Sequence, residues 1–303
     1  MQKKRLIVIA GPTAVGKTSI AIQLAHHLCT VIVSADSRQV YKEMNIGVAR
    51  PSIEQLADIK HYCIASHSII APLDVALYEE QTIALLDQLF LTYDNILLVG
   101  GTGLYIHSIV HGMDSIPDVP NSIRAEVEDN YKEKGIVYLT DFLEKHSPES
   151  LNYIDKHNPR RLIRAVEVFM ATGMPLHTYQ HNLRKKRNFK VEKFLLYTDK
   201  VILEQNINNR VDEMITQGWI SEVESLLPYR NSRALDTVGY KEIFDYLEGK
   251  LILENCIELI KIKTRQYAKR QMTWFTKDNE YHHIYSDSNA LDNIFKILKY
   301  NIL

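Results

Sequence analysis

Five consecutive apolar residues, Leu6-Ile7-Val8-Ile9-Ala10, run directly into a glycine turn, a pattern that predicts a short strand buried on both faces. Helical periodicity follows over 17–28, a second branched run at Val31-Ile32-Val33, helical spacing again over 78–93, and a third strand at Ile96-Leu97-Leu98-Val99. Strands alternating with helices predict βαβ units around a parallel sheet. From Pro117 to about Lys190 no strand-like run occurs and helical spacing prevails. Phe194-Leu195-Leu196-Tyr197 then predicts a return to the sheet, and from Val201 helical patterns continue almost to the end. The expected organisation is a core of 1–115 and 191–303 interrupted by a helical insertion over 116–190.

Composition narrows the class without naming a function. Of 303 residues, 46% are hydrophobic and 24% charged, values of a soluble globular chain rather than a disordered or fibrous one. Three scattered cysteines, Cys29, Cys63 and Cys256, point to neither a disulfide framework nor a zinc site, and a reducing cytoplasm is expected. No apolar run is long enough for a membrane span, so no membrane partner is expected. The net charge of −1 conceals segregation: residues 156–193 carry ten Lys/Arg against two acids, and 261–277 carry six Lys/Arg and no acid. Basic zones of this kind, set against an acidic remainder, predict a polyanionic partner.

Gly11-Pro12-Thr13-Ala14-Val15-Gly16-Lys17-Thr18 matches the Gly-x4-Gly-Lys-Ser/Thr phosphate loop between a predicted strand and a predicted helix. Its glycines let backbone N–H groups converge on phosphate oxygens at the positive end of a helix, Lys17 adds a full charge, and the Thr18 hydroxyl suits Mg²⁺. Asp36, in Ser34-Ala35-Asp36-Ser37-Arg38-Gln39, stands at the carboxyl edge of the second strand as a base, a metal partner or a helix N-cap. The third strand ends in Gly100-Gly101-Thr102-Gly103, where a phosphate-loop NTPase usually places a magnesium-binding Asp. Those glycines either admit a ligand or make a tight turn. Arg160, Arg161 and Arg164 share a broad helical face, Arg184-Lys185-Lys186-Arg187 follows, and Lys261, Arg265 and Lys269 recur at intervals of four, a spacing suited to nucleic-acid phosphates. Tyr267, Trp274 and Phe275 are expected in the core. Arg210, in register with Leu203, Ile207 and Met214, needs an anion, either a bound phosphate or an internal carboxylate.

Together GPTAVGKT, DSRQVY, IGVARP, GGTGLY, RRLIRAVEV, TVGYKEIFDYLEG and TRQYAKRQMTWF, in order along nearly the whole chain, resemble the tRNA dimethylallyltransferase (tRNA isopentenyltransferase) family, bacterial type. IGVARP stands where many members have Gly-Thr-Ala-Lys-Pro. The resemblance implies an α/β, phosphate-loop-NTPase-like parallel core with a helical insertion. It also implies transfer of a dimethylallyl group from dimethylallyl diphosphate to N6 of adenosine 37 beside the tRNA anticodon; Mg²⁺ as cofactor, a cytoplasmic location and a monomer are expected. By motif matching, Thr13 to Thr18 hold the diphosphate, Asp36 is the general base, and Lys17, Thr102 and Arg210 assist the reaction. The tRNA anticodon stem-loop would meet Asp36, Ser37, Arg38, Gln39, Thr102, Arg124, Arg160, Arg161, Leu162, Ile163 and Arg164. It would also meet Asp236, Thr237, Val238, Gly239, Tyr240 and Lys241, and further Lys269, Arg270, Gln271, Met272, Thr273, Trp274, Phe275 and Thr276. The competing reading is an ATP-dependent phosphate-loop kinase of a nucleoside or small metabolite.

Overall fold

In the computed structural model, which describes residues 4–181 and 184–299, the apolar run near the N-terminus forms strand β1 (Arg5–Ala10), with Leu6 to Ala10 all fully buried. Successive strand residues point to opposite faces. Leu6, Val8 and Ala10 accordingly join one hydrophobic core while Ile7 and Ile9 join another on the far face. Burying each such branched side chain contributes about 1.5–3 kcal/mol, which is why the run carries no polar alternation.

Around it stand β2 (Ile32–Ser34), β3 (His61–Tyr62), β4 (Asn95–Gly100), β5 (Lys190–Tyr197) and β6 (Tyr281–Tyr285), all parallel, in the order β3-β2-β4-β1-β5-β6. Helix α1 (Lys17–His27) covers the Ile7 face through Ile20, Ala21, Leu24 and Ala25, joined there by residues near the C-terminus such as Ile294 and Phe295. A short helix, α2 (Ile53–Asp58), lies between β2 and β3. The other face is packed by α3 (Val75–Thr92) and α4 (Gly103–His111), through Tyr78, Leu86, Ile106 and Ile109.

The described chain divides into two compact units, Met1–Val110 with Lys186–Leu303, and His111–Lys185. The second is helical, with α5 (Asn121–His146), broken at Gly135, and α6 (Pro159–Thr172), around a core of Val127, Leu139, Leu143, Leu162, Val166 and Val168. Lys190 and Val191 already pair with Arg5 and Leu6, so residue 190 belongs to the sheet rather than to the insertion. Five helices complete the first unit: α7 (Lys200–Thr216), α8 (Trp219–Ser225), α9 (Tyr240–Leu247), α10 (Leu253–Phe275) and α11 (Ala290–Leu298).

Strands β3 and β6 escape the hydrophobic pattern for a common reason. Each is a short edge strand, two and five residues long, and Tyr-His-His-Ile-Tyr in β6 buries only Tyr281 and Ile284 deeply, so no apolar run marks it. Among the described residues no helix is long and apolar enough to cross a membrane.

Candidate functional site

Residues 11–16 turn the chain from β1 into α1 through a strained backbone: Ala14 holds φ 65° and Gly16 φ 94°. A left-handed alanine costs about 1–2 kcal/mol, a strain tolerated where a loop must present its amides inward. The first turn of α1 contains no acid, and Gly16 supplies no side-chain cap, leaving the helix's positive end open toward the loop. The loop's carbonyls are held instead: Lys17 Nζ donates to those of Gly11 and Pro12 at 3.0 and 2.6 Å, Asn206 to Ala14 at 3.2 Å, and Ser286 to Val15 at 2.6 Å. The Thr13 amide donates to Gln271 Oε1 at 2.9 Å, tying the loop to α10.

A cleft of about 420 Å³ opens beside the loop, lined by Ala14, Gly16, Thr198, Asn206, Arg210 and Glu213 among others. Burial pulls the Lys17 ammonium down to about 7, opposed by the Asp36 carboxylate and assisted by the positive charge of Arg210. Arg210 is likewise lowered by burial, with Glu213 raising it. Arg210 thus stands between the two anions left open by its sequence context: it lines the phosphate-loop cleft, and Glu213, one turn on, is its internal carboxylate. Two cations held this close in a desolvated site are ready for an anion.

On the other side of Lys17 lies the turn after β2. Asp36 Oδ1 accepts the amides of Arg38 at 2.8 Å and Gln39 at 3.3 Å, which is the turn-capping role its position allowed. Thr102 Oγ1 accepts the Ser37 amide at 3.0 Å and donates to Ser37 Oγ at 3.3 Å, tying the end of β4 to the end of β2. Gln271, on α10, closes the third side by donating to Gly101 O at 2.9 Å; a Cβ on Gly101 would lie 2.2 Å from that amide nitrogen, so the position requires glycine. Tyr267, also on α10, lies near Thr102 and Asp36, and burial with the charge of Asp36 pushes its phenol up to about 12. The phosphate loop, Asp36, Ser37, Thr102 and Gln271 therefore form one connected site.

The geometry places the residues expected to meet tRNA in differing surroundings. The side chains of Leu162, Tyr240 and Phe275 are fully buried, and Gln271 is spent on Thr13 and Gly101. Arg38 donates to the carbonyls of Arg233, Ala234 and Asp236, and the Gln39 amide group donates to those of Val48 and Ala49; both brace loops. Arg124 donates to Val119 O. Ile163 is half-buried and Arg164 pairs with Glu167 at 3.6 Å, whereas Arg160 and Arg161 are exposed at the start of α6. Asp236, Thr237 and Val238 are half-buried, Gly239 is buried, and Lys241 is exposed with an ion pair to Asp236 at 2.8 Å. Lys269, Arg270, Thr273 and Thr276 are exposed and Met272 is half-buried. Trp274 and Tyr267, expected in the core, are 43% and 36% exposed, because only Phe275 of the three falls on the helix face turned to the sheet. Glu222, Asn206 and Ser286 carry no motif signal, since each meets backbone groups more than a hundred residues away.

A family model described as IPP transferase matches residues 39–278, most of the chain. The chain belongs to the IPP transferase family. Among curated relatives it is 42% identical to a tRNA dimethylallyltransferase of Christiangramia forsetii, over 98% of both chains, and 39% identical to that of Cytophaga hutchinsonii, over 91% of both. Among solved structures, the full-length tRNA isopentenylpyrophosphate transferase of Bacillus halodurans is 31% identical, with a TM-score of 0.72 and coverage of 98% and 96% of the two chains. The parallel sheet with its phosphate loop is the phosphate-loop-NTPase-like fold of that family.

Proposed function

We propose that this chain transfers the dimethylallyl group of dimethylallyl diphosphate to N6 of adenosine 37, beside the anticodon of tRNA. The observation that carries the reading is the placement of a carboxylate, Asp36, next to Lys17 of a phosphate loop, with Thr102 bonded to the neighbouring Ser37. A diphosphate clamp and an acceptor base then share one site. In the reaction the C–O bond to the diphosphate breaks, the N6–C bond forms, and the N6 proton passes to Asp36. An exocyclic amine is a poor nucleophile, so a base that takes its proton as the bond forms contributes about 10²–10⁴ in rate. The leaving diphosphate gathers charge that the loop amides, Lys17 and Arg210 stabilise in a desolvated setting.

A divalent cation fits the donor set: Thr18 brings a hydroxyl oxygen and the diphosphate brings hard anionic oxygens. Thr18 would hold Mg²⁺, which supplies charge neutralisation to the leaving group when bound. A base inside an anticodon loop must be splayed out to reach such a site, and Arg160, Arg161 and the exposed cations Lys269 and Arg270 are proposed to hold RNA phosphates. The test is direct. Purified protein is incubated with Mg²⁺, tRNA and either dimethylallyl diphosphate or ATP, and the digested nucleosides are weighed. A five-carbon gain on adenosine from the prenyl donor alone supports the reading; phosphorylated product from ATP alone replaces it with a kinase.

A further inference from the structure

Residues 44–50 form neither helix nor strand; two turn bonds, Ala49 N–H to Ile46 O at 2.9 Å and Arg50 N–H to Asn45 O at 3.2 Å, pair part of their backbone, and side chains supply further partners. Glu222, on α8, takes three successive amides: Oε2 accepts from Asn45 at 3.0 Å and Ile46 at 2.7 Å, and Oε1 from Gly47 at 3.2 Å. Oε1 also accepts the hydroxyl of Tyr240, fully buried on α9, at 2.6 Å. Four donors thus meet the roughly four lone-pair sites of one carboxylate, a match no neutral side chain can provide. The buried Trp219 presses on the same loop, where a Cβ on Gly47 would lie 2.0 Å from its indole nitrogen.

The far end of this loop is fastened to the catalytic turn. Gln39 Nε2 donates to Val48 O at 3.2 Å and Ala49 O at 3.0 Å, and Gln39 Oε1 accepts from Ser34 at 3.1 Å. The backbone amide of the same residue donates to Asp36 Oδ1 at 3.3 Å. Gln39 is therefore a joint between the Glu222-held loop and the carboxylate at the centre of the site. We propose that Glu222 is a positioning residue for prenyl transfer: by anchoring the amides of 45–47 it sets Gln39, and through Gln39 the orientation of the Asp36 carboxylate, without touching either substrate. The proposal rests on the reading of Asp36 as the acceptor's base. It also gives the Thr-Val-Gly-Tyr-Lys-Glu segment a second task, since Tyr240 of that segment completes the Glu222 site.

The experiment is a double-mutant cycle on single-turnover prenyl transfer with Glu222→Gln, Asp36→Asn and the two combined. Glutamine keeps the shape and replaces one acceptor oxygen by an NH₂ group facing N–H or O–H donors. Glu222→Gln is expected to slow the transfer step about 10–100-fold, the scale of a small misplacement of a reacting group, with the KM values for both substrates within about twofold of the parent. In the Asp36→Asn background the same change is expected to alter the residual rate less than about twofold, because its effect runs through Asp36. Should Glu222→Gln fail to fold, Tyr240→Phe, which removes one of the four donors and no volume of consequence, enters the same cycle with a smaller expected fall. An undiminished effect in the Asp36→Asn background, a KM rise without a fall in the transfer step, or a Glu222→Gln enzyme with the parent rate overturns the role of Glu222 while the functional reading stands. A parent enzyme that transfers nothing, or Asp36→Asn at full rate, overturns the functional reading and this proposal with it.

Discussion

The cations beside the phosphate loop and those along α10 have the same chemistry and opposite situations. Lys17 bonds only to carbonyl oxygens, is desolvated, and has Arg210 close enough to lower it further. On α10, Lys261 sits between Asp212 at 2.8 Å and Glu258 at 3.3 Å, Lys263 reaches Glu242 at 2.7 Å, and Arg265 donates to Asn208 at 2.7 Å. The first set is an unfinished electrostatic site that an anion completes. The Lys261–Arg265 part of the second is already met by its own protein, two of its three cations by carboxylates, whereas Lys269 and Arg270 farther along stay exposed. Charge counts along a chain therefore overstate what a surface offers to RNA; what decides is whether carboxylates from distant segments arrive to meet the cations.

The anion inside the positive site offers the sharpest test of that comparison. Asp36→Ala is expected to lower the prenyl-transfer rate by about 10²–10⁴ while leaving tRNA affinity nearly unchanged, because a base acts mainly in the transition state. Transfer rates and tRNA binding measured on one preparation check both halves. Loss of tRNA binding with no fall in the rate of bound complex would make Asp36 a docking group instead.

Arg187 tests the completed class. It belongs to the basic run Arg184–Arg187, yet its guanidinium reaches Glu79 at 2.9 Å with both side chains largely buried, and it donates to the carbonyls of Ser108 and Ile109. Arg187→Ala breaks this largely buried pair, and removing one partner of such a pair typically costs about 3–5 kcal/mol. Denaturant unfolding should show that loss, and the salt dependence of tRNA binding by the folded fraction should stay at the parent value.

These contrasts mark how far the chain can be read from its residues. The phosphate loop, the Asp36 turn and β1 are legible because each is local: a glycine spacing, a strand end, an apolar run. Gln271 is legible as a motif member, but its bond to Thr13, 258 residues away, is not. Separation of the same kind hides Glu222 and the Asp212 and Glu242 that meet Lys261 and Lys263, and β6 reads as helix because an edge strand with two exposed histidines has no strand periodicity to show. What escapes throughout is pairing across the sequence, which depends on topology that one-dimensional pattern does not contain.

Lys17 allows the unfinished site to be followed by pH. Its value of about 7 lies below the ordinary 10.5, so folding disfavours its charged form. That burden is full below pH 7 and disappears as pH rises toward 10.5, so Lys17→Met should raise the Tm of the empty protein most near pH 6 and least near pH 10. A bound diphosphate draws the proton back. Between about pH 7.5 and 9.5 binding should take up a proton and weaken by up to about tenfold per unit, beyond the ligand's own titration as reported by Lys17→Met. Calorimetry in buffers of different ionisation enthalpy measures the uptake; equal uptake by both proteins would place Lys17 outside the site.

The smallest expected effect separates exposed from completed cations directly. Removing one cation that neutralises an RNA phosphate should reduce the slope of log K against log salt by roughly 0.7–0.9. Arg161, exposed in the first turn of α6, is expected to show that reduction as Arg161→Ala. Lys261→Ala is expected to leave the slope unchanged, because Asp212 and Glu258 already satisfy that ammonium and its removal frees no counterion from RNA. Titrations of tRNA at several salt concentrations give both slopes, and diphosphate affinity measured alongside should be the same in both variants. A fall for Lys261→Ala with none for Arg161→Ala would reverse the assignment: the ion-paired helix would then exchange its carboxylate partners for phosphates on binding, and the internal neutralisation of α10 would be a masked RNA surface rather than a finished one.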